Sequence, residues 1–592
     1  MKTLHFWQLI IRRCLLFWLC AYSVCFGVSY AGQHANQELA FYQLADDYFD
    51  RYYFPTYPST ATQLGVHRYD DKLEQFSKSA LDVSIATLKQ YEKHFGDINV
   101  TSFSQRAQQD RVLLLNQIKS QLLDLQAIRY WQINPDMYSS AAANSAFVII
   151  SRQYAPINQR LQSLIAREKA IPDLFIAAKD NLHNPPSIFT EIALEQLLAI
   201  ILFFQRDVPD AFKHADPKLI QEFVVTNQRV VNALQAYQEW LKTVVLPASH
   251  GNYRLGKSLY VKKLQYDEMV EQPLPALLAI NAANMRENQN SFKRIAKELE
   301  PGKSPQAMLA AINAHYPQPE HLLSEFRATF AHLIKFIKVK KIITIPSDVQ
   351  PMMEETPAFL RSITFASMDT PGPFEKTAKE AFFNVTLPEP SWSKERITQF
   401  MGQFSYPSIS SISIHEAYPG HYVQFLWMHD VSGRVRKIIG SRTNAEGWAH
   451  YAEQMMLDEG YGDYVDPTDP RQAKMLRLGQ LLNALLRNAR FTVGIEMHAG
   501  RMTFNQAVDY FVKEGYQPKA VGVVEAKRAT LDPTYLYYTL GKLQILKLRA
   551  DLMKKQGKSF QLQRFHDDFM RQGYPPIKIV RETLLGDNSP TL

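Results

Sequence analysis

Cysteine is almost missing from this chain. Its 592 residues hold three, Cys14, Cys20 and Cys25, and all of them fall within the first 31 positions. Beyond that point there is no thiol to form a disulfide, attack a substrate or ligate a metal, so thiol proteases and Cys-ligated sites are excluded. A Gly-rich phosphate loop, a basic block, an internal repeat and a low-complexity tract are absent as well. No apolar run after the first 31 residues reads as long enough to span a membrane. The formal net charge is +8. That is modest for this length, and no clustered basic face argues for nucleic acid.

What is present begins with a leader. Lys2, Arg12 and Arg13 precede an apolar run that starts at Cys14 and continues to Ala31. Ser29 and Ala31 put small residues where a signal peptidase needs them, so residues 1–31 read as a signal peptide cut before Gly32. The alternative is an uncleaved anchor. Lipoprotein-type residues do not precede any of the cysteines. Cleavage removes three basic and no acidic residues, which takes the charge from +8 to +5. The expectation is an exported protein, periplasmic or secreted, with no stable membrane insertion once the leader is gone. A hydrophobic content of 46% with 21% charged residues is that of a globular chain.

Periodicity predicts helices over about 36–53, 81–95, 105–128, 156–177, 188–206, 218–244, 274–299, 305–315 and 320–337. Between 340 and 390 the period changes. Ile342–Ile345, Ser362–Ala366 and Phe382–Leu387 read as short strands around Thr370-Pro-Gly-Pro-Phe374. Such a sheet could accept an extended peptide at an edge, or it could simply cap the fold. Helices resume after Pro390. Asn444 is expected to cap one that stops at Gly460, Asp469-Pro470 to start a long one, and Thr503 with Gln506 to form a capping box. Further helices are expected over about 518–530, 533–555 and 559–572. The reading is an all-α fold of two lobes around a cleft, with a small β-sheet just before the metal-site helix. The N-terminal helical lobe spans 32–339 and the catalytic lobe 340–592, with sheet 340–390, metal-site helices 408–460 and C-terminal helices 470–592.

The chemistry centres on His415-Glu416-Ala-Tyr-Pro419-Gly420-His421. Neutral imidazoles hold Zn2+, and a carboxylate beside them takes a proton from bound water. On a regular helix His415 and His421 would point about 120° apart. Pro419 removes a backbone donor and Gly420 tolerates unusual dihedrals, so a bulge that swings His421 back onto the face of His415 is expected. The competing reading is a helix C-terminus at Tyr418 with two unrelated histidines. A third ligand stands 25 residues on. Glu446, His450 and Glu453 share one helical face, with Glu446 assigned as ligand and His450 and Glu453 as residues that orient the ligands.

These two motifs, His415–His421 and Glu446-Gly-Trp-Ala-His450-Tyr-Ala-Glu453, resemble the bacterial family called domain of unknown function 885. The resemblance covers nearly the whole mature chain, including the Ala61–Asp71 segment and the Pro-Gly-Pro region. That family in turn resembles gluzincin metallopeptidases, and the interval to Glu446 is similar to that in angiotensin-converting enzyme and thimet oligopeptidase. The resemblance implies a Tyr or His that hydrogen-bonds the oxyanion, here Tyr538 with His498 as second choice. It also implies an arginine for a substrate carboxylate, Arg490 or Arg528. A Glu525–Arg528 salt bridge is the structural alternative. Gly494 stands where the family has Asp, and Thr534-Tyr535-Leu536 where it has Gly-Gln-Ala. The expected function is zinc-dependent hydrolysis of a peptide or small amide, with Glu416 as base. An esterase, or an exported binding protein with a structural or vestigial metal site, stays open.

Overall fold

The computed structural model describes residues 36–592, except 358–360, 362–363, 390 and the side chain of 306. The expected signal peptide lies outside the described residues, as do Pro390 and part of the expected strand Ser362–Ala366. The N-terminal helices start where short polar side chains can cap them. Ser77 and Ser104 accept from the third amide of Lys78–Asp97 and Gln105–Leu123, which satisfies donors that a helix leaves open. Gln105–Leu123, Ser187–Leu202 and Pro217–Trp240 each run on into a single π turn. The periodicity therefore extends past the α-helical ends. Asp136–Ile150 escaped the periodicity because Ala and Ser dilute its apolar face; Ala142, Ala146 and Ile149 are nevertheless buried in a core. Ser187–Ala211 corrects the expectation of no membrane-length segment. It is apolar and long enough, with a mean hydropathy of 1.8, but half of that window is buried in the protein.

The sheet has three strands, β1 (Met352–Glu355), β2 (Ala366–Asp369) and β3 (Phe382–Val385), in the order β1-β3-β2. β1 runs parallel to β3 and β2 antiparallel to it. Ile342–Ile345 is no strand. Ile342 and Ile343 are buried in a core and Thr344 is bonded through its amide and hydroxyl to Asp567, so the run is apolar because it is buried rather than because it pairs. β3 lays Phe383 on Phe326 and Phe330, which fixes the sheet against helix Leu322–Lys340.

Six C-terminal helices build the site: α1 (Tyr406–Glu416), α2 (His421–Met428), α3 (Arg442–Asp458), α4 (Pro470–His498), α5 (Lys519–Leu531) and α6 (Tyr537–Gln556). Helices dominate and the sheet is small, so the fold is all-α in class. Asp469 caps α4 with Pro470 at its first position, and Thr503 with Gln506 forms the capping box of Phe504–Lys513. The cap of α3 is Ser441, not Asn444. Asn444 is buried and ties α2 to the chain end: it accepts from Gln424 and donates to the Pro575 carbonyl. α3 and α6 meet backbone to backbone. A Cβ on Gly541 would stand 1.9 Å from the Thr443 carbonyl, and one on Gly447 would stand 2.5 Å from the Gly541 Cα. Cores cross residue 340: Met285, Phe292 and Ile312 pack with Leu478, Leu485 and Phe511, and Phe41 and Leu114 with Val435 and Ile579.

Candidate metal centre

His415 lies in the last turn of α1 and His421 is the first residue of α2. The chain does not bulge within one helix, as the sequence led us to expect; it ends one helix and begins another. Ala417 and Tyr418 both donate to the Ser413 carbonyl, which closes α1. The Tyr418–Pro419 bond is cis. Gly420 then passes so close to α1 that a Cβ would stand 1.8 Å from the His415 carbonyl oxygen. Trp448, fully buried on α3, donates to the Pro419 carbonyl at 2.8 Å and holds the junction from the side. The result is the convergence that a bulge was meant to supply: the two imidazoles meet edge to face, ring centres 4.9 Å apart.

Glu446 enters from the second turn of α3. Its Oε2 lies 3.3 Å from His415 Nε2 and 3.5 Å from His421 Nε2. Three ligand atoms of these residues fall within 4.8 Å of one another. These are ion-pair contacts, and Glu446 Oε2 is buried with no hydrogen-bond partner among the described residues. Ligand atoms placed about 2.1 Å from a tetrahedral zinc ion would lie about 3.4 Å apart. The donor set and its spacing therefore fit such an ion.

The far side of His415 is engaged too. Its Nδ1 meets Glu453 Oε1 at 2.7 Å, and Ser411, one turn back on α1, donates to Glu453 Oε2 at 3.0 Å. Arg487 of α4 puts Nη2 3.2 Å from Glu453 Oε1. A carboxylate behind a ligand histidine fixes its tautomer and ring orientation. His450 is buried, with Nδ1 3.5 Å from Glu453. Burial works against a charged His415, but Glu446 and Glu453 outweigh it and raise its pKa to about 9. Burial likewise opposes the charge on Glu446, yet its two histidines hold its pKa well below the carboxylate range. The same carboxylates that raise the pKa of His415 would favour a metal cation at its Nε2.

Glu416 is half-buried beside His415. Tyr538, at the start of α6, brings its ring centre to 6.4 Å from that of His415. His498 is not part of this group. Its Nε2 donates to the Ala529 carbonyl at 2.7 Å, its ring packs on Tyr253 and Tyr260, and burial depresses its pKa to about 4. Arg490 makes a two-pronged pair with Glu525 at 2.8 and 2.6 Å. Arg528, expected as the possible partner of Glu525, instead donates to the Tyr538 hydroxyl at 3.2 Å. Sequence reasoning missed Arg487, Ser411 and Lys542. Ser411 and His415 share the i, i+4 face of α1, a signal that was legible. Lys542 is fully buried with no hydrogen-bond partner for its ammonium among the described residues, and burial lowers its pKa to about 8. Nothing in its sequence surroundings marked it. The two departures from the family pattern adjoin: a Cβ on Gly494 would lie 3.2 Å from Tyr535 Cβ, so a small residue faces a large one.

Fold and cluster together define a large, mostly helical protein whose C-terminal helices gather two histidines and a glutamate at a helix junction. The chain belongs to the bacterial family called domain of unknown function 885, described as a bacterial protein of unknown function, whose pattern matches residues 58–584. No curated protein matches it. Among solved structures it is similar to a candidate lipoprotein of unknown function from Shewanella oneidensis, at 25% identity and a TM-score of 0.75, covering 93% of this chain and 99% of that one. A candidate lipoprotein from Colwellia psychrerythraea shares the fold at 17% identity and a TM-score of 0.70, covering 94% and 99%.

Proposed function

We propose that this protein is an exported zinc-dependent hydrolase, with peptides or small amides as its substrates. The observation that carries the reading is the convergence of His415, His421 and Glu446 on one carboxylate oxygen, at 3.3 and 3.5 Å, the spacing of ligand atoms around a tetrahedral ion. The resemblance to gluzincin peptidases agrees with that ligand set. The leader and the description of both structural neighbours as candidate lipoproteins support export.

A bound zinc ion would supply an acidified water and polarise a substrate carbonyl. Glu416, next to His415 in the chain, would be the base for that water's proton and would pass it to the leaving amine. Tyr538, its ring centre 6.4 Å from that of His415, would donate a hydrogen bond to the substrate oxygen as it gains charge. Glu453 holds His415 in the tautomer that leaves Nε2 free. A structural site has no use for a carboxylate in the position of Glu416, and this weighs against a purely scaffolding role.

Purified protein should contain about one zinc per chain and should hydrolyse members of a short-peptide panel, with loss of activity in chelator. Glu416→Gln should keep the metal and lose at least about 100-fold in turnover, the span of a general base. Glu446→Ala should lose the metal. Full zinc content in Glu446→Ala by elemental analysis, or unchanged hydrolysis by Glu416→Gln, would refute these roles.

A further inference from the structure

Beside α2 lies a cavity of about 510 Å3, within the range of ligand-binding clefts, ~300–1,000 Å3. Its inner wall is one face of that helix, with Tyr422, Phe425 and Leu426 at i, i+3 and i+4. Its outer wall is the chain between β2 and β3, which brings Pro371, Ala378 and Ala381. The charges in the lining balance, Lys376 and Lys379 against Glu375 and Asp430. Glu375 is already committed: its Oε2 meets His67 at 2.8 Å, and its Oε1 accepts the amides of Lys376 and Thr377. His429, whose pKa burial lowers, adds no charge at neutral pH. The cavity therefore selects by apolar contact rather than by charge.

The outer wall is fixed rather than a flap. Arg152 donates to the Glu380 carbonyl at 2.6 Å and to the Asp369 carboxylate at 2.5 Å, which pins both ends of the connection. In its middle Gly372 passes against the backbone of Leu64. A cavity with walls held in this way loses little further freedom when it is filled. It also adjoins the metal cluster on two sides. Phe425 follows His421 by one helical turn, and the two rings stack with centres 5.8 Å apart and planes 14° from parallel. Phe425 thus touches the ligand imidazole and lines the cavity as well. From the other direction, β2 packs on α1, the helix of His415 and Glu416, and runs directly into Thr370 and Pro371 of the lining.

Resting on the hydrolase reading, we propose that this cavity is a specificity subsite that takes a bulky apolar side chain, aromatic or branched aliphatic, of the bound peptide. Moving such a side chain out of water supplies the preference over small and charged residues. An extended chain advances about 3.3 Å per residue, and the Phe425 ring stands 5.8 Å from that of His421. The side chain therefore belongs to a residue within about two of the bond that is cut.

The test uses an acetylated and amidated hexapeptide of alternating glycine and serine, with one phenylalanine moved through each position in turn. Binding to the zinc-loaded full chain is measured by calorimetry. At one position, or at two neighbouring ones, phenylalanine should tighten binding about 10- to 100-fold over the host peptide, the worth of burying one such side chain. Val349 lines the cavity and is 58% exposed, so Val349→Arg puts a charge there without entering a core. It should abolish the gain and leave the zinc content unchanged. Leu426→Ser, from the opposite wall, should reduce the gain independently. Three results would overturn the subsite: no position favours phenylalanine, the gain survives both variants, or N-acetylphenylalanine amide binds as tightly as the best hexapeptide. The last would make the cavity a site for free apolar molecules. Zinc-dependent hydrolysis of the same hexapeptides reports on the hydrolase reading separately. A phenylalanine preference that the variants remove, without turnover of any peptide, would sink that reading and leave a peptide-binding cavity.

Discussion

Glu453 is the residue on which most of the candidate site leans. It takes the Nδ1 proton of His415, the hydroxyl of Ser411 and the guanidinium of Arg487. Burial opposes its charge, but the Arg487 guanidinium and the imidazole of His415 hold its carboxyl well below the usual range. Removing the charge but keeping the shape should free His415 to turn. Glu453→Gln is therefore expected to weaken zinc binding by about 10- to 100-fold, read by competition with a chromophoric chelator; unchanged affinity would reduce Glu453 to a packing residue. At this scale the ligand types were legible, because His, Glu and their intervals are local facts. Arg487 and Lys542 were not. Each acts across helices, and a basic residue in a helical sequence looks the same whether it faces solvent or a buried carboxylate.

Among the elements, the α1–α2 junction and the α3–α6 contact decide the geometry. Pro419 and Gly420 announced an irregularity in the sequence, but not its kind. A proline ends a helix as readily as it distorts one, and the choice was made by the neighbour, since Trp448 on α3 bonds the Pro419 carbonyl. The α3–α6 contact brings Tyr538 to the side of Glu446. Gly541 has no room for a side chain against the Thr443 carbonyl, so Gly541→Ala should push the two helices apart and cost about 3 kcal/mol of stability. A lowered urea midpoint together with weaker zinc retention is the expected pair of results. A loss of stability with intact zinc affinity would mean that the contact supports the fold but not the site.

At the scale of the molecule, the segment around 58–74 is clamped to the loop before β3. Gly65 passes against the backbone of Glu375, and Gly372 against that of Gln63 and Leu64. His67 bridges the two, 3.1 Å from Asp70 and 2.8 Å from Glu375, with its ring stacked on Tyr154. Burial opposes its charge, yet the two carboxylates raise its pKa above the usual value. Burial also opposes the charge on Glu375, but backbone amides and His67 lower its pKa. A raised histidine adds stability that is complete below its unfolded pKa, about 6.5, and that is lost as pH rises through the folded value. The lowered Glu375 adds stability that is complete above about 4.3 and lost as pH falls through its folded value. The clamp should thus be strongest between about pH 5 and 6.5. Urea midpoints of the native chain should fall above that window, and His67→Gln should flatten the fall. Parallel curves for the two proteins would show that the bridge contributes nothing.

The sequence by itself determined the helical class, most helix positions, the absence of cysteine beyond the leader and the candidate trio of His415, His421 and Glu446, because each is set by composition, by periodicity or by residues a short interval apart. Only the tertiary structure decided how the trio converges, that Glu453 rather than His450 meets His415, that His498 stands apart, and which arginine pairs with which carboxylate. Those depend on pairs such as Arg490 with Glu525 and Arg487 with Glu453, 35 and 34 residues apart in the chain. Packing brings them together, and no local pattern in the chain encodes which of several equivalent charges will be neutralised.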